Sequence, residues 1–250
     1  MTTTRVDILC GGRLALEQPT DGYRFGIDAL LLASVAATLP GTSVLDACAG
    51  CGVVGLATAQ LNPLIRDLTL VELQAPLQDC ALRNLERYGS GLGRSQVLAG
   101  DLRSLVLPDA DIVTMNPPFY RVGAGRVSPN PALAAARHQL NGTLPELVNA
   151  LNPCIPVHGH LAVVIDAAQQ SILDRACDCY GLRAWRRILI AAAPYRREHL
   201  AIVVYRRQRV AATAVTRAFL CDSDGHPDQA VQSLTQGQWD APLPGPLWVG

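Results

Sequence analysis

The sequence contains no lysine, so its 21 basic residues other than histidine are all arginines. Arginine presents a planar fork of N–H donors, which suits phosphate groups and stacking on flat rings. Basic and acidic residues are equal in number, and a net charge of zero carries no global electrostatic signature of nucleic-acid binding. Any nucleic-acid partner would therefore have to be held by a local patch of arginines.

Long apolar runs and targeting signals are also lacking. No stretch is apolar for long enough to span a membrane, and the amino terminus does not have the pattern of a signal peptide. We therefore expect a cytoplasmic protein without membrane contact, whose eight cysteines are reduced and mostly buried.

Metal ligands at suitable spacing are scarce. Cys48 and Cys51 form a CxxC pair, but the sequence has no second pair and no HxxxH partner. A zinc site needs four convergent ligands, so we expect no metal. A redox role for the CxxC pair is a remote alternative.

Apolar segments of strand type alternate with segments of helix type over most of the chain. This order predicts an α/β fold with a Rossmann-like, mostly parallel sheet of seven strands and helices on both faces. The last two strands, 185–191 and 200–205, are joined by a connection too short for a crossover helix, so they should form an antiparallel C-terminal hairpin. We divide the chain into an N-terminal hairpin and helix packed on the core, the main domain and a C-terminal extension, at residues 1–40, 41–210 and 211–250.

A turn of small residues follows the first strand of the main domain and precedes a helix that begins at Val53. Small residues let a nucleotide-like ligand approach the backbone, and the helix N-terminus offers free N–H groups. The turn matches the loose D/E-x-G-x-G-x-G pattern of methyltransferases, with Cys48 at the first glycine. If Cys48 needs a positive φ it is strained, and otherwise its side chain narrows the pocket. The candidate cofactor residues here are Asp46, Ala47, Cys48, Gly50 and Gly52.

Three further residues, together with Asn116 described below, are candidates for contact with the same ligand. Glu72 ends the second strand about twenty positions after the turn, where a ribose-binding carboxylate is expected, although a solvated strand end is the alternative. Asp101 follows the third strand and could accept a bond from an adenine amine or cap the next turn. Phe25 lies in a loop before the first helix, where packing on the core is at least as good an interpretation as a ligand role.

The strand that begins at Asp111 ends in Asn116-Pro117-Pro118-Phe119. Prolines cannot continue the ladder of a strand, and ligands bind at the carboxyl ends of parallel strands. The Asn116 side chain can accept and donate hydrogen bonds, and Phe119 can stack on a flat ring. The tetrapeptide therefore suits a planar substrate with an exocyclic amine or amide. The alternative is a Pro-Pro turn in which Asn116 merely caps the strand.

The segment after this tetrapeptide is long, rich in glycine and arginine, and weakly periodic. Long loops beside a site are usually functional. We take Tyr120, Arg121, Arg126, Arg137 and His138 from it as candidate substrate contacts. A second group of arginines in the C-terminal part could form a local patch for RNA, or could be solvated strand ends: Arg183, Arg186, Arg187, Arg196, Arg197, Arg206, Arg207 and Arg209.

The order of these features resembles class I S-adenosylmethionine-dependent methyltransferases. Three stretches resemble the bacterial tRNA(Val) adenine-N6 methyltransferase family more closely, and the likeness spans roughly Asp7 to Tyr205. They are Gly11-Gly12-Arg13-Leu14 with the following 22–33, the tetrapeptide 116–119, and 128–138.

The resemblance implies S-adenosylmethionine as cofactor and tRNA as partner. The Asn116 oxygen and the Pro117 carbonyl would accept the two amine hydrogens, while Phe119 would stack on a base swung out of its own stack. Most of the rate would come from positioning. The catalytic set is Asn116, Pro117, Pro118 and Phe119. The alternatives are another amine or amide, in rRNA guanine, a protein glutamine or a small molecule, and a non-catalytic binding module that kept the fold.

Overall fold

The computed structural model describes residues 3–20, 24–117, 142–208, 211–229 and 231–232. Strands β1 and β2 form an amino-terminal hairpin, and eight further strands form the main sheet. The strands are β1 (Thr4–Leu9), β2 (Leu14–Pro19), β3 (Ser43–Ala47), β4 (Asp67–Glu72), β5 (Arg94–Ala99), β6 (Ile112–Met115), β7 (His160–Asp166), β8 (Arg183–Ala191), β9 (Glu198–Arg206) and β10 (Ala214–Phe219). The helices are α1 (Ile27–Ala37), α2 (Val53–Leu61), α3 (Ala75–Tyr88), α4 (Leu144–Leu151) and α5 (Gln170–Asp178).

The main sheet has the order β10-β8-β9-β7-β6-β3-β4-β5. Every neighbouring pair is parallel except those of β9, which is antiparallel to β7 and to β8. The predicted α/β fold with a mostly parallel sheet and an antiparallel hairpin is confirmed. The prediction of seven strands was one short, because β10 pairs parallel with β8 at the margin of the sheet and most of its residues are not buried. Such a half-exposed strand leaves little apolar signal. The division of the chain into three parts stays a prediction.

Both faces of the sheet are covered, so its central strands are apolar throughout. All four residues of β6 are buried, as expected for a parallel strand between two helical layers. Residues of α1, α2 and α3 pack in one core cluster, and residues of α4 and α5 pack in a second. No described helix is long and apolar enough to cross a membrane.

The direction of the strands gives the sheet two unlike edges. We call the side at which β3, β4, β5, β6, β7, β8 and β10 end the carboxyl edge, and the opposite side the amino edge. Because β9 runs the other way, the turn that joins β8 to β9, residues 192–197, also lies at the carboxyl edge.

The amino-terminal hairpin is fixed beside the carboxyl edge by one buried asparagine. Asn84 of α3 is fully buried, and its amide nitrogen donates to the backbone oxygens of Glu17 and Cys51, each at 2.9 Å. Its oxygen accepts the backbone N–H of Glu17 at 2.8 Å. Strand β2, helix α3 and the turn after β3 are thereby held together, which brings Gln18 to the site described next.

Candidate active site

The turn between β3 and α2 has three residues in the left-handed region. The φ angles of Cys48, Gly50 and Gly52 are 58°, 59° and 88°. The two glycines adopt this conformation at little cost, whereas a cysteine there is strained. Of the two alternatives for Cys48, the strained one therefore holds. A side chain at position 52 would also meet the Cδ1 atom of Leu70 at 2.8 Å.

The thiols of this turn are not poised for redox chemistry. Burial, with the nearby carboxylates of Glu72 and Asp46, raises the pKa of Cys48 to about 12. Burial likewise raises the pKa of Cys51 to about 12. A reactive pair needs a thiolate near neutral pH, so the redox alternative loses its chemical basis.

Glu72 is buried beside the turn at the end of β4, so it is not a solvated strand end. Its two oxygens accept the backbone N–H groups of Gly50 and Gln74, each at 2.8 Å. Each oxygen keeps a free lone pair, because a carboxylate offers about four acceptor positions. The backbone N–H groups of Ala49, Gly50 and Gly52 in the turn bond to Val71, Glu72 and Ala49, so these three are not free for a ligand.

Asp46 and Ala47 support the turn from beneath. The carboxylate of Asp46 is fully buried and accepts the Thr114 hydroxyl at 2.8 Å and the Gly55 backbone N–H at 2.9 Å. It therefore links β3, β6 and α2. Burial, with the charge of Glu72, raises the pKa of Asp46 to about 7. The side chain of Ala47 is buried in the core cluster that includes α4 and α5.

Asp101 caps a turn, which was one of the two interpretations of this residue. Its carboxylate accepts the Arg103 backbone N–H at 2.9 Å and pairs with the Arg103 guanidinium at 2.6 Å. The hydrogen bonds from Arg103 lower its pKa. The carboxylate nevertheless lies near Cys48, whose pKa it helps to raise. An additional contact with adenine stays a prediction.

Asn116 follows β6 and has an unusual pattern of hydrogen bonds. Its amide nitrogen donates to Oδ2 of Asp28, in the first turn of α1, at 3.0 Å. Its oxygen Oδ1 is buried and has no hydrogen-bond partner among the described residues. No role was predicted for Asp28, because acidic residues are common in the first turn of a helix. Its only distinguishing signal is its place in the quoted amino-terminal stretch.

A pocket opens at the carboxyl edge beside Asn116. It encloses about 310 Å³, part of which is open solvent. Phe25 packs on the core, which confirms one interpretation of this residue, and it also lines the pocket. Its contact with a ligand stays a prediction. Gln18 and Leu77 were not predicted to line the pocket, because neither their residue types nor their spacing in the sequence indicates a binding role. The lining consists of Gln18, Phe25, Cys48, Ala49, Gly50, Cys51, Val53, Val54, Leu77 and Asn116.

Several predicted site residues lie outside the described part of the chain, and the structure gives no information on them. Of the tetrapeptide, Asn116 and Pro117 are described, and Pro117 is buried. The residues outside are Pro118, Phe119, Tyr120, Arg121, Arg126, Arg137 and His138.

The profile of the methyltransferase small domain family matches residues 26–171, which is more than half of the chain. The chain belongs to this family. It is a class I methyltransferase that uses S-adenosylmethionine. The matched region runs from the start of α1 to α5 and contains the strained turn, Glu72 and Asn116.

Two relatives of this methyltransferase share one name. A Flavobacteriaceae protein (strain 3519-10) named tRNA1(Val) (adenine(37)-N6)-methyltransferase is 23% identical over 71% of this chain and 74% of its own length. A protein of the same name from Shewanella sp. (strain W3-18-1) is 22% identical over 86% of this chain and 91% of its own.

Solved structures share the fold of this methyltransferase. A predicted O-methyltransferase from Agrobacterium tumefaciens has a TM-score of 0.64 at 20% identity, and 86% of this chain matches 97% of that one. TYW2 of M. jannaschii in complex with AdoMet has a TM-score of 0.56 at 12% identity, covering 82% and 85%. At these identities the likeness extends to the fold alone.

Proposed function

We propose that this enzyme methylates the exocyclic amine of a base in tRNA, with adenine N6 as the leading target. S-adenosylmethionine carries its methyl group on a sulfonium, so no strong base is required of the protein. The observation that carries the proposal concerns Asn116, which lines the pocket and whose Oδ1 is buried without a hydrogen-bond partner among the described residues. An unsatisfied buried acceptor costs about 1–3 kcal/mol, and an amine hydrogen of the substrate would satisfy it.

The residues that line and flank the pocket suit the methyl donor chemically. The free lone pairs of Glu72 would accept ribose hydroxyls, which is the usual role of an acid at this position. Cys48, Gly50 and Gly52 keep the backbone of the turn close to the ligand, while Asp46 and Ala47 hold the turn from beneath. Phe25 would flank the ligand on its apolar side, and Asp101 would accept from the adenine amine.

Asn116 would act on the substrate amine by geometry. The lone pair of an aromatic amine is delocalised into the ring, which makes the nitrogen a weak nucleophile. If Asn116 Oδ1 and the Pro117 carbonyl accept its two hydrogens, the nitrogen is held pyramidal with its lone pair directed toward the methyl group. Pro118 would fix the direction of the chain, and Phe119 would stack on the base.

Asp28 determines which way the Asn116 amide faces. A carboxylate only accepts hydrogen bonds, so it holds the NH₂ end of the amide at 3.0 Å. The flipped amide would place Oδ1 against a carboxylate oxygen, and two acceptors repel each other. Asp28 therefore keeps Oδ1 available for the substrate.

The choice of tRNA is supported by the names of the relatives and by the amino-terminal stretch that resembles their family. Tyr120, Arg121, Arg126, Arg137 and His138 belong to the proposal as substrate contacts. The zero net charge favours a different acceptor, such as a protein glutamine, rRNA guanine or a small amine.

Transfer of a labelled methyl group from S-adenosylmethionine to unmodified tRNA, followed by nucleoside analysis, tests the proposal. We expect label in N6-methyladenosine. Label in guanosine would keep the proposed role of Asn116 and change the target base. A parallel assay with protein substrates would show whether a glutamine is the acceptor instead. An absence of labelled methyladenosine with every tRNA pool would refute the tRNA assignment, and calorimetry with S-adenosylmethionine would then test for a binding module.

A further inference from the structure

The arginines of the C-terminal part, which the sequence analysis considered as one patch, lie at two different edges of the sheet. Those in the first half of β8 and at the end of β9 lie toward the amino edge, whereas Arg196 and Arg197 occupy the β8–β9 turn at the carboxyl edge. Arg209 lies outside the described residues. The described arginines therefore do not form one patch, which was one of the two alternatives considered for them. The amino-edge group consists of Arg183, Arg186, Arg187, Arg206 and Arg207.

The arginines toward the amino edge are engaged within the protein. Arg183 pairs with Asp178, and Nη2 of Arg187 pairs with both oxygens of Asp174 at 3.0 and 3.1 Å. Arg206 stacks over the ring of Trp185 at 4.7 Å, Arg186 donates to the Thr38 hydroxyl at 3.2 Å, and Arg207 binds backbone oxygens. These contacts hold the side chains on the protein, and two donors without a described hydrogen-bond partner, Nη1 of Arg187 and Nε of Arg206, are buried.

The turn at the carboxyl edge is rigid and exposed. The backbone N–H of Arg196 donates to the Ala193 oxygen at 2.9 Å, and Pro194 occupies the position where its fixed φ suits a β-turn. Tyr195 is 67% exposed, and the guanidinium of Arg196 lies 5.5 Å from its ring centroid. Neither Arg196 nor Arg197 forms an ion pair with another described residue, so both charges face solvent.

The register of the sheet relates this turn to Asn116. Met115 of β6 pairs with Val163 of β7, and Val164 pairs with Ile202 of β9. Strands lie about 4.8 Å apart and rise about 3.4 Å per residue, so the turn lies roughly 10 Å to the side of Asn116 and about 15 Å beyond it. That span corresponds to a few nucleotides of an RNA strand.

The charges around the turn leave one side open to an anion. Arg217 of β10 is paired with Glu198 at 2.7 Å and adds no free charge. The loop after β10 carries Asp222 and Asp224, which would repel phosphate on the outer side. On the inner side lies a further acidic residue, Asp166, whose carboxylate accepts the Ala168 N–H at 2.9 Å and which pairs with Leu200 of β9. The positive charge of the turn is therefore presented between the acidic loop and the pocket.

We propose that the Tyr195-Arg196-Arg197 turn binds the phosphate backbone of the RNA substrate beside the target base, an inference that rests on the proposed function. Neither guanidinium group has an ion-pair partner among the described residues, so both can pair with phosphates of the substrate. Contacts to phosphate groups position a nucleic acid on a protein. The exposed ring of Tyr195 offers a flat face on which an unstacked neighbouring base can stack.

The test measures the affinity for unmodified tRNA as a function of salt for the Arg196→Ala/Arg197→Ala variant. Loss of two phosphate contacts should lower the slope of log affinity against log salt by about 1.5 and raise KM for tRNA roughly tenfold. The kcat at saturating tRNA and the affinity for S-adenosylmethionine should stay unchanged. Arg196→Lys/Arg197→Lys should keep most of the salt slope, because it keeps both charges.

The matched control is Arg94→Ala/Arg175→Ala, which removes two exposed arginines from β5 and α5, away from the carboxyl edge. It should bind tRNA like the wild type. The inference is wrong if the turn variant keeps the wild-type slope and KM while the wild type methylates tRNA, or if the control loses as much affinity. A wild type that methylates no RNA would remove the proposed function and this inference together.

Discussion

At the amino edge of the main sheet, Arg207 donates to the backbone oxygens of Ile155, Tyr180 and Asn152 at 3.0, 2.8 and 2.7 Å. Asp111 accepts there from the backbone and hydroxyl of Thr42 at 2.8 and 3.2 Å, and from His158 at 3.0 Å. At the carboxyl edge, by contrast, Arg196 faces solvent and Oδ1 of Asn116 is buried without a described partner.

This contrast separates polar groups that hold the fold from polar groups that await a ligand. A side chain whose hydrogen bonds are all made to the protein contributes stability, and its loss leaves buried groups unpaired. A buried side chain with an unused hydrogen-bond acceptor or donor lowers the stability of the fold. A ligand that forms the missing hydrogen bond can offset this loss. Substitutions at the carboxyl edge should therefore change activity, and those at the amino edge should change stability.

The largest effect is expected for Asn116→Ala at the carboxyl edge. Removal of the amine acceptor should reduce kcat by about 1,000-fold, as loss of one positioned hydrogen-bonding group does at other active sites. Affinity for S-adenosylmethionine should change little, because the donor is held mainly by the turn and Glu72. Single-turnover methylation and calorimetry measure the two quantities.

The control for this variant is Asn149→Ala, which removes an exposed asparagine of α4 that accepts the Tyr180 hydroxyl at 2.7 Å. It should methylate at the wild-type rate. If Asn116→Ala abolished cofactor binding as well as turnover, its role would be mainly structural, and the contrast between the two edges would fail at its clearest point.

Arg207→Ala tests the opposite edge. It should lower the free energy of unfolding by about 3 kcal/mol, because a charged donor with several bonds is lost and the backbone oxygens of Ile155 and Tyr180 lose that donor. The folded fraction should keep the wild-type kcat. Chemical denaturation gives the stability, and Arg197→Ala should shift it by less than about 0.5 kcal/mol. Equal losses of stability for the two arginines would contradict the contrast.

The sequence was sufficient to predict the strand and helix order, the acid at the end of β4 and the amide at the end of β6. Those features depend on local periodicity and on where residues fall within an element. The pairing of Asp28 with Asn116 was not predictable in this way, since the two residues are 88 positions apart and either type is common at its position.

The grouping of the arginines failed for a different reason. Arg183, Arg196 and Arg206 are near each other along the chain, but β8 and β9 are each nine residues long. A strand of that length spans about 30 Å, so its ends are far apart although they are close in sequence. The predicted hairpin already implied this separation. The lengths of its two strands would have placed these arginines at opposite edges of the sheet.

Asp46→Asn tests the buried carboxyl group that links β3, β6 and α2. The pKa of Asp46 is raised to about 7 in the folded protein, so the folded state holds a proton that the unfolded chain releases near pH 4. The stability that this proton contributes is complete below pH 4 and is lost as pH rises through 7. Between pH 5 and 8 the wild type should lose about 2 kcal/mol relative to Asp46→Asn.

The measurement is denaturation of both proteins at several pH values. His160, whose pKa burial lowers, acts in the opposite direction because it destabilises the fold as pH falls, but it is common to both proteins. The amide of Asn can still accept the Gly55 N–H and donate to Thr114. A stability difference that does not change between pH 5 and 8 would mean that Asp46 is ionised throughout.

Asp28→Asn should reduce kcat about tenfold with little change in KM or in cofactor affinity. An amide at position 28 can donate as well as accept, so it no longer forces the NH₂ end of Asn116 toward itself. In the background of Asn116→Ala the same change should cost nothing further, which a double-mutant cycle measures. Asp79→Asn, on the exposed face of α3, is the matched control and should retain full activity. Additive losses in the cycle would show that Asp28 acts independently of Asn116.

The smallest effect concerns the two cysteines with positive φ, Cys48 at 58° and Cys10 at 53°. At each position the Gly variant should be more stable than the Ala variant by about 1 kcal/mol, because both lose the thiol and only Gly relieves the left-handed strain. Only at Cys48, which lines the pocket, should the Gly and Ala variants also differ in affinity for S-adenosylmethionine, by a few-fold. Cys10 is buried in the amino-terminal hairpin, so its strain should be felt in stability alone. Equal stability of the Gly and Ala variants at Cys48 would show that the turn does not impose this conformation on residue 48.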